Sequence, residues 1–312
     1  MQLPFVSVLV ISYNQENLIQ ETIESCLKQS YDNYEIVVSD DGSMDDTVQI
    51  IQGMQDKFPE KIKLIANEKN AGITKNCNLG LRHCRGELIA FMGGDDLLTP
   101  KKLEEQVAAF LGNHNLALCY HPCFVMHNGE INKIIGNRTK DLVRNFVEMV
   151  EKFGAAIPGP AVMVRTSAIP DYGFDETIKT ASDWLFYIDV SSKGDVVRLD
   201  KPLSIYRLHQ NNIGHQYFSY SQDFIKTIEI VKIRYGKRPG VKTAADKGAR
   251  RFLLGVIYRA LEQDRPDIAR KYTEQIRDYT KGGLSALLFA LTFVPGIGII
   301  LRGVKDLLKK YV

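Results

Sequence analysis

The segment FMGGDD, residues 91–96, ends an apolar run with two glycines and then sets two carboxylates, Asp95 and Asp96, side by side. Adjacent like charges repel, and each loses hydration if the site is even partly enclosed, so a fold tolerates them best where a positive partner joins them. A divalent metal ion meets that requirement. A second acidic pair, Asp40 and Asp41 in SDDGS, stands in a similar setting. Cys119, His121 and Cys123 form a rival metal set, because they alternate along what reads as one strand and so share a face, with His114 and His127 nearby. Consecutive i, i+2 positions lack the spacing of a structural zinc knuckle, so ordinary packing is the stronger expectation for them.

The acidic residues stand just after strand-like runs. FVSVLVIS (5–12) is rich in β-branched residues and ends at Tyr13-Asn14, and the next segment repeats Leu18, Ile19, Ile23, Cys26 and Leu27 at helical spacing. EIVVS leads through DDGSMDD into TVQIIQGMQDKF, KIKLIAN through EKNAGI into TKNCNLGLRHC, and ELIAFM through GGDDLLT into PKKLEEQVAAF. Successive βα units of this kind predict an α/β fold, a Rossmann-like, mostly parallel sheet with right-handed crossovers and flanking helices. Ligands of such a sheet bind at the carboxyl ends of the strands, where SYN, SDDGS, NEKNAG and GGDD lie. None of these loops is GxGxxG, and their aspartates would repel an unbridged pyrophosphate, so a metal-bridged nucleotide fits better than NAD. Residues 115–130, 159–165 and 201–212 read as further strands, a helix starts near Asp183-Trp184, and beyond about residue 220 the pattern turns helical.

The formal charge is only +3, from 40 basic and 37 acidic residues spread along the chain, which predicts no nucleic-acid partner. The five cysteines form no CxxC pair or paired framework, as expected for a reducing compartment, and the N-terminal apolar run has no preceding basic residue, so it reads as a strand rather than a signal peptide. The expected location is cytoplasmic, peripherally associated with the inner face of the plasma membrane. That expectation rests on the last segment, 282–312, an apolar stretch broken by Pro295, Gly296 and Gly298 and closed by Arg302, Lys305, Lys309 and Lys310. A straight spanning helix needs about twenty unbroken apolar residues, so the segment reads as an in-plane or re-entrant hairpin held by lysines to anionic headgroups. An oligomer interface or an internal core is the alternative.

Taken together, SVLVISYN, EIVVSDDGSMDDT, NAGITKNCNLGL, GELIAFMGGDDLLTP, YGFDETIKTASDW and YRLHQNN resemble the large family of inverting nucleotide-sugar glycosyltransferases with the GT-A fold, from about Phe5 to Asn212. The resemblance implies a catalytic domain over 1–220, with a nucleotide-sugar half at 1–112 and an acceptor half at 113–220, followed by a helical extension (221–281) and the membrane-associating tail (282–312). It implies a nucleotide-diphosphate sugar donor, a UDP-sugar favoured, a Mn²⁺ or Mg²⁺ ion on the diphosphate and an acidic general base; the expected acceptor is a glycan of bacterial surface polysaccharide synthesis, and the tail is what makes a lipid-linked one the expectation. A homo-oligomer is compatible with it.

Residue by residue, the family's Asp-x-Asp falls on Gly93, Gly94 and Asp95, so its first aspartate is missing. The resemblance assigns Asp95, Asp96 and His209 to the metal, and Gly93-Gly94 to close approach of the diphosphate to the backbone. Ser12, Tyr13, Asn14, Asp40, Asp41, Asn70, Gly72 and Asn78 match donor-binding positions; Asp41 is favoured to accept from the base, while an Asx turn into a helix capped by Ser43 is the structural alternative. Cys77 stands where many relatives carry arginine, and Lys75 is the substitute cation. Asp183 matches the general base, with Ser182 in place of a glutamate, and Trp184 and Arg207 fall to the acceptor side, Arg207 also being suited to offset phosphate charge. Asn211 and Asn212 are too generic to assign. A metal-dependent nucleotide-sugar hydrolase or nucleotidyltransferase, and a non-catalytic membrane-docked scaffold, are the rival readings.

Overall fold

The computed structural model describes residues 3–136, 142–152, 157–209, 218, 221–280, 283–294 and 296–301. Asn211, Asn212, Pro295 and the basic residues from Arg302 onward lie outside the described residues. The chain divides into two compact units, Met1–Asp223 and Phe224–Val312.

The first unit opens with β1 (Val6–Ser12), α1 (Ile19–Leu27), β2 (Tyr34–Asp40), α2 (Thr47–Lys57), β3 (Ile62–Ala66), α3 (Ile73–Leu81), β4 (Leu88–Gly93), the short β5 (Leu97–Leu98) and α4 (Lys102–Gly112). β1 and β2 are buried on both faces, which is why they read as continuous apolar runs rather than alternating ones. Ile19, Ile23 and Cys26 of α1 join Val8, Val10, Ile36 and Val38 in the core beneath the sheet. The unit continues with β6 (Leu116–Tyr120), β7 (Cys123–His127), β8 (Glu130–Ile135), α5 (Phe146–Glu151), β9 (Met163–Arg165), α6 (Asp183–Ser191), β10 (Asp195–Arg198) and β11 (Ser204–Leu208).

Seven strands form one sheet in the order β10-β6-β9-β4-β1-β2-β3, parallel except where β9 runs antiparallel between β4 and β6. In register, Ser12 lies beside Asp40 and Ile11 beside Gly93, so the carboxyl ends of β1, β2 and β4 finish at one level. A second sheet has the order β5-β11-β7-β8. The single strand expected through Cys119, His121 and Cys123 is two strands in two sheets. Pro122 has no N–H to donate to a ladder, so pairing stops there and the chain changes sheet. The zinc alternative falls with the shared face: among the described residues no three His, Cys, Asp or Glu side chains are grouped to hold a metal.

The helices that follow are α7 (Ser221–Tyr235), α8 (Val241–Glu262), α9 (Pro266–Gln275) and α10 (Leu284–Leu291). In the second unit α9 packs against α8 and α10. No residue of α10 is buried, and Leu284, Leu287, Phe293, Val294, Ile299 and Ile300 are all exposed. No described helix is long and apolar enough to cross a membrane.

Candidate active site

A cavity of about 780 Å³ opens at the carboxyl ends of β1, β2 and β4. Its walls include Ser12, Tyr13, Asn14, Gln15, Asp41, Asn70, Asn76, Gly93, Asp95, Thr180 and His209.

The β2 end is held by a dense polar knot. Asp40 is fully buried, and its carboxylate accepts from the Ser12 hydroxyl (2.8 Å) and from the Ser43 backbone N–H (2.8 Å) and hydroxyl (2.6 Å). Asp40 therefore builds the loop and stands outside the cavity wall, and Ser43 serves Asp40 rather than capping a helix; the residue before α2 is Asp46. Asn14 takes a positive φ of 50°, a conformation asparagine tolerates, and is clamped to the same loop through its N–H to the Ser43 hydroxyl and its Oδ1 to the Met44 N–H.

Asp41 accepts from Asn67 Nδ2 (3.0 Å) and from the Ala71 and Gly72 N–H groups (2.9 Å each). A carboxylate has about four acceptor positions, so Asp41 reaches the cavity already oriented and with acceptor capacity in hand. Gly72 sits before α3 at φ +94°, which explains its type without contact to a ligand. Lys75 is exposed and off the cavity wall. Asn78 is buried and its amide is fully used on the 174–176 loop: Nδ2 donates to the Phe174 carbonyl and Glu176 Oε1, and Oδ1 accepts from the Phe174 N–H. The asparagine of α3 that lines the cavity is Asn76, whose amide joins the ends of β1 and β2 through Ser39 and Ser12.

At the β4 end the two neighbouring aspartates part company. Asp95 turns into the cavity, where its Oδ2 lies 2.8 Å from His209 Nε2. Asp96 turns inward, is buried, and accepts from the Arg207 N–H at 3.0 Å, so it does not join the metal set expected for it. Burial, and then the neighbouring Asp95 charge, push the Asp96 carboxyl well above the usual range. Gly94 is also off the cavity wall: a Cβ there would come within 2.1 Å of Gln15 Oε1 and 3.0 Å of Ile19 Cδ1. Arg207, expected on the acceptor side, is a buried strut. Its guanidinium donates to Glu21 Oε2 (2.6 Å), the Leu18 carbonyl (3.1 Å), Thr22 Oγ1 (2.7 Å) and the Asp95 carbonyl, fastening β11 to α1 and to the acidic loop.

Asp183 begins α6, three residues beyond the cavity-lining Thr180, and accepts from the Trp184 N–H at 2.9 Å. Burial pushes its carboxyl up to about 6, against the pull of that hydrogen bond. Trp184 is half-buried and off the described wall. The loop before α6 is fixed by the Thr74 hydroxyl, which bonds the Ile178 and Lys179 carbonyls and Ser182 Oγ, and by Asp223, which accepts from the Thr180 and Ala181 N–H groups. Sequence reasoning missed Gln15, Asn76 and Thr180; Gln15 follows SYN directly, but nothing in its type marks it.

The sheet and its flanking helices match those of solved glycosyltransferases with the GT-A fold. The glycosyl transferase family 2 model matches residues 7–178, more than half the chain, and the chain belongs to that family. It is 28% identical over 215 residues, 68% of this chain and 81% of that protein, to the Escherichia coli UDP-Glc:alpha-D-GlcNAc-diphosphoundecaprenol beta-1,3-glucosyltransferase WfgD. In structure it is similar to S. aureus TarS 1-349 in complex with UDP-GlcNAc (TM-score 0.67, 20% identity, 95% of this chain and 89% of that one), and it spans 54% of the longer TarS chain. It is likewise similar to a mannosyltransferase from Pyrobaculum calidifontis in complex with GDP-Man and Mn²⁺ (TM-score 0.65, 17% identity, 99% and 89%). The chain is a family 2 glycosyltransferase with the GT-A fold.

Proposed function

We propose that this protein is an inverting, metal-dependent glycosyltransferase that moves a sugar from a nucleoside diphosphate, UDP favoured, to a hydroxyl of a lipid-linked glycan. The observation that carries the reading is the cavity's two ends: an oriented acceptor, Asp41, at one, and the Asp95–His209 pair at the other, both at strand carboxyl ends. Asp95 and His209 would hold the metal. A carboxylate and an imidazole are suitable oxygen and nitrogen ligands for Mn²⁺, and two protein ligands leave room for oxygens of the diphosphate itself. When bound, the ion neutralises charge on the departing diphosphate.

Asp183 accepts the proton of the acceptor hydroxyl, whose oxygen bonds to the anomeric carbon on the face opposite the leaving diphosphate, inverting that centre. A carboxyl raised to about 6 is still mostly ionised at pH 7, and is a stronger base than an ordinary aspartate. Thr74 and Asp223 keep the loop before it in place. The lipid link is supported by the diphosphoundecaprenol in WfgD's name and by the exposed apolar side chains of 284–301, which would lie in the surface of an anionic membrane with the basic residues after them.

The test is a thermal-shift panel of UDP, GDP, dTDP and CMP with and without Mn²⁺, since a ligand bound only by the folded state raises its melting temperature. A metal-dependent shift for one diphosphate, lost in Asp95→Ala, is expected. No shift with any of them supports the scaffold reading instead, and sugar release without acceptor at full turnover supports a hydrolase.

A further inference from the structure

The formal charge of +3 is divided unevenly between the two units. Residues 224–312 hold 19 of the 40 basic residues and 8 of the 37 acidic ones, a formal charge of +11, against −8 for residues 1–223. A charge of that size on one unit points to an anionic partner.

α8 carries much of it. Ala245, Phe252, Leu253, Val256 and Ile257 on its inner side are buried, whereas Lys247, Arg250 and Arg251 are exposed. These three stand at i, i+3 and i+4, with the half-buried Leu254 and Tyr258 following at i+7 and i+11, so the five share one stripe. A solvated helix gains from acids set three or four residues from its bases, but Lys247 has Arg250 and Arg251 in those places. The only carboxylate within that reach of any of the three along the helix is Asp246, and its Oδ1 is bonded to Lys232 Nζ at 2.5 Å. Like charges so placed repel, and an anion arriving from outside relieves the repulsion.

The same unit exposes apolar side chains on a segment it holds in place. Arg270 of α9 donates to Thr292 Oγ1 at 3.1 Å and lies 4.2 Å over the Phe293 ring, and a Cβ on Gly298 would come within 2.6 Å of the Leu261 carbonyl, near the end of α8. Leu287, Phe293, Ile299 and Ile300 are nevertheless each more than half exposed. A soluble polyanion would engage the cations alone. The surface of an anionic bilayer takes both, cations at its headgroups and apolar side chains at its acyl boundary.

We infer that the Lys247, Arg250 and Arg251 stripe of α8 is a contact for anionic lipid headgroups, a second membrane site besides the apolar segment, which makes docking depend on the charge of the bilayer. The inference rests on the membrane reading proposed above, and the two fail separately.

The experiment is co-sedimentation of the full chain with vesicles of phosphatidylcholine alone and with vesicles in which about a third of the lipid is phosphatidylglycerol. Wild type is compared with the triple variant Lys247→Gln, Arg250→Gln, Arg251→Gln and with the double variant Leu287→Ser, Ile299→Ser. Wild type should bind the anionic vesicles more tightly, by a margin that shrinks as salt rises. A cation near an anionic surface is worth roughly fivefold in affinity, so the triple variant should lose at least about tenfold on the anionic vesicles while melting like wild type and binding the neutral ones unchanged. The double variant should lose affinity for both and keep its preference for the anionic ones. An undiminished preference in the triple variant, or a wild-type preference that salt does not reduce, overturns the inference. Tighter binding to inorganic polyphosphate than to anionic vesicles also overturns it. Equal wild-type binding to both kinds of vesicle overturns the inference and leaves the apolar segment's role standing, whereas no binding to either overturns both.

Discussion

Lys102 is the first residue of α4 and is fully buried, with Nζ donating to Gln106 Oε1 at 2.5 Å. Burial is the main cause that lowers its pKa, from 10.5 to about 8, partly offset by Cys119, Cys123 and Cys26. The drop to about 8 corresponds to roughly 3 kcal/mol of destabilisation at neutral pH, where the lysine must be charged inside the fold. Between pH 8 and 10.5 the unfolded chain binds the extra proton, so this contribution raises stability as pH rises and is fully relieved only above 10.5. Over pH 7 to 9 the gain is about 1.3 kcal/mol. Lys102→Met keeps the packed stem and removes the charge, at the cost of an unpaired Gln106 Oε1 worth about 1–3 kcal/mol. The net change at pH 7 is therefore small, between no effect and about 2 kcal/mol of stabilisation, and the sharper observable is the slope. Urea melts at pH 7, 8 and 9 should show wild type gaining on the variant as pH rises, by about 1 kcal/mol over the range. A pH-independent difference between the two proteins would mean that Lys102 is not buried as a strained cation, and would refute the reasoning.

Three other outcomes follow from the geometry. The pH profile of sugar transfer should have an acid limb centred near 6, the value to which burial raises Asp183; only the ionised form takes a proton, so rate falls as pH drops through that value. An acid limb near 4, or Asp183→Asn retaining more than about a hundredth of the activity, would remove Asp183 as the base. Arg207→Ala should lower stability by about 2 kcal/mol, read from urea melts, because it removes hydrogen bonds to the Leu18 and Asp95 carbonyls and to Thr22 together; an acceptor-contacting arginine would leave the melt unchanged. Asn78→Ala should cost about 2 kcal/mol while titration calorimetry shows unaltered nucleotide affinity per folded molecule, since its amide serves the 174–176 loop.

The elements were readable where one physical rule decided them. The continuous β-branched runs of β1 and β2 require cover on both faces, and that predicts a parallel sheet with its acidic loops at one end. Side-chain direction was not readable, because it depends on partners far along the chain. Asp95 and Asp96 look equivalent in FMGGDD; the Arg207 N–H, more than a hundred residues away, draws Asp96 inward and leaves Asp95 to His209. Asn76 and Asn78 lie two residues apart on one helix, so they point to different sides, and only the positions of Ser39 and Phe174 determine which faces the cavity.

These particulars together account for the acidity of the site. With Arg207 held by α1 and Lys75 in solvent, no described lysine or arginine lines the cavity, yet Asp41 and Asp95 do. A diphosphate entering alone would meet uncompensated negative charge. On the metal reading proposed above, with Asp96 withdrawn, Asp95 and His209 would be two ligands where an octahedral ion needs six donors, so a metal entering alone would be held weakly by the chain. Each deficit is the other's remedy: the ion supplies the positive charge the diphosphate lacks, and the diphosphate supplies oxygens the ion lacks. Because linkage is reciprocal, the factor by which Mn²⁺ tightens the nucleotide is the factor by which the nucleotide tightens Mn²⁺. On that reading the missing cation and the missing aspartate are one feature of the site, and metal and donor would bind as a unit.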